Sequence, residues 1–284
     1  MADANVVKKL KEQAYEMRKM IVKLAGQADI HIGGDLSMTD MMTAIYMYKM
    51  RKDLSDVKWE GRDRFLLSKG HAAACLYFSM AMAGYDELDE IYDTYGKYGS
   101  RYGAHPCKKQ NPALEMSSGS LGHALALGTG LALAGKLKNE KHYVFVMLGD
   151  AECAEGSVWE AALSASHYKL GNLVAFVDRN KMSLSAPTET SVNGMRLEPF
   201  ADKWAAFGWN VKVIDGHNME EIVDALDNLP TEDSDVPTVI IGNTVKGKGV
   251  DFIENVASWH AGMFNEEQLK AAYESLEKTR QEEL

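Results

Sequence analysis

The chain has 284 residues, 46% hydrophobic and 25% charged, with a formal net charge of −10. That length buries a substantial core, and the composition is globular and not that of a coiled coil or a disordered chain. No apolar run reaches the roughly 18 residues of a bilayer span, and the charged, helix-forming N-terminus lacks a secretory signal's apolar stretch. The acidic balance excludes nonspecific nucleic-acid binding, so the expectation is a soluble cytoplasmic protein that touches neither nucleic acid nor membrane. Cys75, Cys107 and Cys153 form no CxxC pair and are read as reduced thiols, and the scattered methionines as core filler.

In chain order, Val7, Leu10, Ala14, Met17, Ile21 and Leu24 recur at steps of three and four, which predicts an opening helix with one apolar stripe. A second helix is expected over Thr39 to Met50, after a loop HIGGDLS and capped by a Ser or Thr. Arg64 to Ser68 reads as a short buried strand leading into the turn Lys69-Gly70-His71, with a helix over Ala72 to Ala83. From Tyr92 to Ser118 the pattern loosens into a long loop, a candidate site wall. Apolar strand runs then fall at Tyr143 to Leu148, Leu173 to Val177, Val211 to Ile214 and Val239 to Asn243, alternating with helical stretches. Such alternation predicts an α/β fold, a parallel sheet with helices on both faces, and the absence of any linker predicts one domain over 1–284.

The most informative segment runs from Val144 to Leu184. A strand ends at Leu148, Gly149-Asp150-Ala151 turns, a helix follows over Glu155 to Tyr168, and the next strand ends at Asp178-Arg179-Asn180. Both polar ends therefore emerge at the carboxyl edge of neighbouring strands, where open α/β sheets place ligands. Mg²⁺ takes oxygen ligands and shares them with a diphosphate, so the Asp150 carboxylate, the Asn180 amide oxygen and the Met182 carbonyl are the candidate metal set. Gly149 is expected to permit the tight turn, with backbone N–H groups at the helix start aimed at the phosphates.

This pattern resembles the thiamine-diphosphate motif, Gly-Asp-Gly followed after a spacer by Asn, and in particular that of transketolases. Ala151 replaces the motif's last Gly, a change that a negative φ accommodates. The resemblance extends over nearly the whole chain. His31 lies in HIGGDLSMTD, His71 in FLLSKGH, His105 in AHP and His260 in SWHAG, four segments similar to transketolase histidine motifs. The resemblance implies that His31, His71 and His260 contact the transferring carbonyl and hydroxyl groups, that His105 lies beside the reactive carbon, and that His71 and His260 also touch the cofactor phosphates. Imidazole suits those proton transfers near neutral pH.

The segment SSGSLGHALALG resembles the family turn near the thiazolium ring and dimer contact, which makes Gly119, Ser120 and Leu121 cofactor contacts alongside Gly149, Asp150, Ala151 and Asn180. His123 stands where the family has Gln. Glu155 matches an acidic residue that joins a hydrogen-bond network between two cofactor sites, and it equally suits a first-turn carboxylate. Lys246, in KGKG, fits either a solvated loop or an approach to phosphate. His142, His167 and His217 are given surface or capping roles.

The resemblance covers only the first domain of full-length transketolases, and the glutamate that activates the aminopyrimidine belongs to the pyrimidine-binding domain, which this sequence lacks. The ending QLKAAYESLEKTRQEEL is read as a natural finish. The expectation is therefore the thiamine-diphosphate- and Mg²⁺-binding subunit (Ca²⁺ or Mn²⁺ being alternatives) of an α2β2 split transketolase. Its partner is a C-terminal transketolase subunit, and its substrates are sugar phosphates. The alternatives are a subunit of a 2-oxoacid dehydrogenase or other thiamine-dependent lyase, and a noncatalytic homologue.

Overall fold

The computed structural model describes residues 3–283. Five parallel strands form one sheet: β1 (Arg64–Leu67), β2 (Val144–Gly149), β3 (Leu173–Arg179), β4 (Asn210–Asp215) and β5 (Thr238–Asn243), in spatial order β1-β2-β3-β5-β4. Alternation along the strands loads two cores. Phe65, Phe145, Met147, Val174, Phe176 and Ile240 face one cluster, while Leu66, Val146, Leu148, Ala175, Val177 and Ile241 face the other. A strand buried on both faces reads as an unbroken apolar run, which is why β2 and β3 were legible.

The first core is covered by α1 (Ala4–Ala25), α2 (Ile32–Ser37), α3 (Thr39–Ala44) with a π turn over Ile45–Lys49, α4 (Ala73–Met82) and α5 (Leu88–Thr94), whose buried side chains lie in that cluster. The second is covered by α6 (Ala124–Lys138), α7 (Gly156–His167) and α8 (Phe200–Ala206). The sheet returns to the first face through α9 (Met219–Asp227), and α10 (Glu266–Glu283) packs its buried Ala272 and Leu276 into the same cluster. Among the described residues no helix is long and apolar enough to cross a membrane.

One expectation fails: HIGGDLS is a helix and not a loop, and α3 begins without a Ser or Thr cap. Its glycines are set by packing. A Cβ on Gly33 would sit 2.8 Å from the Trp259 carbonyl oxygen, and one on Gly34 would sit 3.4 Å from Lys69 Nζ. The hydroxyls expected to cap are spent elsewhere, Ser37 donating to Asp178 Oδ2 at 2.6 Å and Thr39 to the Asp35 carbonyl at 2.9 Å. An antiparallel bridge between Ile30 and Gly262 ties an early and a late part of the chain together beside α2.

Candidate cofactor site

Asp150 follows β2 and is buried, and both its oxygens accept hydrogen bonds: Oδ1 from Ala151 N–H at 2.7 Å, Oδ2 from Lys181 N–H at 2.6 Å and Arg179 Nη1 at 3.0 Å. Lys181 takes φ +60°, which folds the segment after β3 back onto β2. Asn180 donates through Nδ2 to Asp178 at 3.1 Å and accepts the Met182 N–H at 3.0 Å. Burial first, and then the Asp178 charge, raises the pKa of Asp150 against the pull of Arg179. A cation on these oxygens would offset both effects.

The turn after β1 supplies Lys69, whose ammonium pairs with Asp178 in the interior and donates to the Gly34 carbonyl at 3.0 Å. Burial alone would raise the pKa of Asp178, but Lys69 and its hydroxyl donors hold it below the usual value. After β5, Lys246 Nζ donates to the Ser183 carbonyl at 3.0 Å and to His260 Nδ1 at 2.9 Å. Burial and the neighbouring Lys69 lower Lys246 to about 8.

Four histidines meet here. The His31 ring lies 5.3 Å from His71, 5.9 Å from His105 and 5.3 Å from His260, and His71 lies 5.2 Å from His260, between ring centroids. Desolvation, then Lys69, pushes His71 down to about 2; desolvation, then Lys246, pushes His260 down to about 3. His31 is lowered as well, by burial and then by His105. His31, His71 and His260 are therefore neutral near pH 7 and present both donor and acceptor nitrogens.

Between the acidic and histidine sides lies a cavity of about 220 Å³ that reaches Lys69, His71, Gly119, Asp150, Asn180 and His260. Its lining brings the Asp150 carboxylate and the Asn180 amide together with the Lys69 and Lys246 ammonium groups, a donor set suited to a hard cation shared with a diphosphate. Among the described residues no group of three or more His, Cys, Asp or Glu side chains is placed to hold a metal ion. Ser118 Oγ, buried beside Gly70, has no hydrogen-bond partner among the described residues.

The family model for the transketolase thiamine diphosphate binding domain matches residues 11–282. The chain belongs to the transketolase family. It is 39% identical over 267 residues to one of the subunits of apulose-4-phosphate transketolase from Phocaeicola vulgatus, covering 94% of this chain and 93% of that one. It is 38% identical to the 6-deoxy-6-sulfo-D-fructose transketolase subunit SqwG of Clostridium sp., covering 95% and 96%. Against human transketolase it is 35% identical, covering 91% of this chain and 40% of that protein. Among solved structures, transketolase from Campylobacter jejuni superposes with a TM-score of 0.85 at 26% identity, covering 97% of this chain and 43% of that one. This chain is thus the thiamine-diphosphate-binding part of the transketolase architecture and spans under half of the full-length forms.

Within that family frame, Gly119, Leu121, Gly149, Asp150, Ala151, Asn180, Met182, His71 and His260 all line the cavity, and His31 and His105 join through ring contacts. Ser120 and Glu155 are exposed and do not line it. Ala151 opens a 3₁₀ turn outside the positive-φ region, so its methyl is accommodated. Gly149 also departs from expectation, since its φ is not positive and a Cβ there would meet only atoms 3.9 Å away. Three N–H groups around the turn are engaged internally: Gly149 N–H donates to Glu152, Ala151 N–H to the Asp150 side chain and Cys153 N–H to the Asp150 carbonyl.

Lys69, Glu152 and Asp178 escape a reading of the sequence alone. Two of them flank motif residues, Lys69 before Gly70-His71 and Asp178 just ahead of Asn180, and that adjacency is the available signal. His142 is buried at 2% exposure, not superficial, because Gly135 admits its ring. His217 bridges elements, its Nδ1 bonded to Asp40 at 2.8 Å and its Nε2 accepting the Val245 N–H at 2.8 Å. It lines a larger groove of about 790 Å³ by α1 and α10, where both ring nitrogens are committed.

Proposed function

We propose that this chain holds thiamine diphosphate with Mg²⁺ and, joined to a second chain carrying the pyrimidine-binding domain, transfers a two-carbon ketol unit from a ketose phosphate to an aldose phosphate. The convergence of His31, His71, His105 and His260 beside the Asp150, Asn180 and Met182 oxygens carries this reading. Bound thiamine diphosphate supplies the electron sink for breaking and making the carbon–carbon bond.

The chain's own groups do the rest. Asp150, Asn180 and the Met182 carbonyl hold the cation, Ca²⁺ or Mn²⁺ being substitutes for Mg²⁺. Lys246 fixes the His260 tautomer by donating to Nδ1, so that Nε2–H is free to donate to a phosphate or a substrate hydroxyl. His71 stands beside it in the same role. His31 and His105 exchange protons with the substrate hydroxyl and carbonyl groups, while Gly119 and Leu121 bound the ring.

Two observations favour a two-chain enzyme, which we propose to be a cytoplasmic α2β2 assembly. The relatives that match end to end are named as subunits, and Ser120 and Glu155 face outward, available to a neighbouring chain. The distal part of the sugar phosphate is assigned to the partner. The test is to assay the purified chain with thiamine diphosphate, Mg²⁺ and ketose plus aldose phosphates, with and without the partner. Ketol transfer only in the reconstituted mixture is expected. Turnover by the chain alone would overturn the division of labour, and carbon dioxide release would move the reaction to 2-oxoacid chemistry. Absence of cofactor binding with the partner present would make the chain a noncatalytic homologue.

A further inference from the structure

We infer that Glu152 is a positioning residue whose carboxylate pins the loop 117–123 to the carboxyl edge of the sheet and so presets the cofactor cavity. Glu152 is 4% exposed and lies in the 3₁₀ turn Ala151–Ala154. Its Oε1 accepts the Ser68 hydroxyl and, at 2.7 Å, the Gly122 N–H, while Oε2 accepts the Gly149 N–H at 3.0 Å. One buried side chain thus joins the end of β1, the end of β2 and the loop that brings Gly119 and Leu121 to the cavity.

A carboxylate is the side chain this position requires. Two of its partners are backbone N–H groups, which only donate, and a buried donor left unmet is destabilising. Gly122 takes φ +80° and a Cβ there would lie 2.8 Å from that of Glu155, so its backbone is held in a conformation with little room for alternatives. Its other anchor is the Ser157 hydroxyl, donating to the Gly122 carbonyl at 2.9 Å. Glu152→Gln keeps the volume but turns one acceptor into an NH₂ facing an N–H.

The proposal rests on the cofactor reading for its ligand arm only. Amide hydrogen exchange on the full chain without ligand, and calorimetric titration of thiamine diphosphate with Mg²⁺ in the presence of the partner chain, test it together. In Glu152→Gln, exchange within 117–123 should accelerate about tenfold or more while α1 and α10 keep wild-type rates, and cofactor affinity should fall about tenfold. Unchanged exchange in 117–123, or acceleration spread evenly over the chain, would overturn the pin. Should Glu152→Gln not fold, Ser68→Ala, which leaves both backbone bonds in place, should show a smaller acceleration confined to the same loop, and its absence would overturn the proposal equally. Failure of the wild type to bind the cofactor would remove that reading, while the exchange data would still judge the role of Glu152.

Discussion

The Lys246 ammonium donates to Nδ1 of His260 at 2.9 Å, so a residue after β5 decides which nitrogen of the ring beside the cavity carries the proton. Removing the cation should release that constraint. In Lys246→Met, the His260 resonance should titrate above the wild-type value of about 3, because Lys246 lowers it second only to burial, and should still stay below the ordinary 6.5. Cofactor affinity should fall about tenfold. An unmoved His260 titration would show that the contact has no electrostatic weight.

Acid should weaken the folded chain through the histidines. His71 and His260 have folded pKa values of about 2 and about 3 against an ordinary 6.5, so the unfolded chain binds more protons as pH falls from 6.5 toward 3. Stability from these groups is present above pH 6.5 and lost through that window. Between pH 7 and pH 4.5 the wild type should lose several degrees more in Tm than the His71→Asn/His260→Asn variant. The carboxyls titrate in both proteins and cancel in the comparison. Parallel Tm profiles would contradict the assignment.

Asp35 acts with the opposite sign. It is fully buried, Oδ1 accepts the Cys75 N–H at 2.9 Å, and Oδ2 has no hydrogen-bond partner among the described residues. Burial raises its pKa to about 7 from 3.8, so its stability contribution is complete below 3.8 and is lost as pH rises through about 7. Asp35→Asn should therefore be more stable than wild type at pH 8 and equal to it near pH 4. An advantage of about 2 kcal/mol at pH 8 corresponds to roughly 4–8 °C in Tm at this size. Equal melting at both pH values would refute it.

Asp150→Asn tests the metal wall. The amide keeps an acceptor for one set of donors but removes the charge that a hard cation needs. Calorimetry of the variant with its partner should show thiamine diphosphate and Mg²⁺ binding weakened about 100-fold. Binding within twofold of wild type would move the cation elsewhere.

The sheet was legible in the sequence because its central strands are apolar on both faces, and the Asp150, Asn180 and histidine set because each sits in a short recognisable segment. What escaped depended on distant contacts. The Gly33-Gly34-Asp35 run has the local signature of a turn, yet Trp259, Lys69 and His71 crowd against it and stabilise a helix. Lys69 and Asp178 are far apart in sequence, and nothing local announces a buried ion pair between them. Glu152 looks like any acidic residue in a first turn until Ser68, Gly122 and Gly149 are seen to converge on it. Gly149 does not perform the conformational task its residue type suggests, since its N–H, and not its freedom, is what the turn uses.

The bridge between Ile30 and Gly262 has a consequence for biosynthesis. Ile30 N–H donates to the Gly262 carbonyl at 3.2 Å and Gly262 N–H returns to Ile30 at 2.9 Å, which sets His31 against His260. During translation the first of these histidines leaves the ribosome early and waits through the synthesis of the whole sheet for the second. A nascent chain stalled after β5 holds all five strands but not His260, so the ring cluster cannot be completed until the segment after β5 has been made.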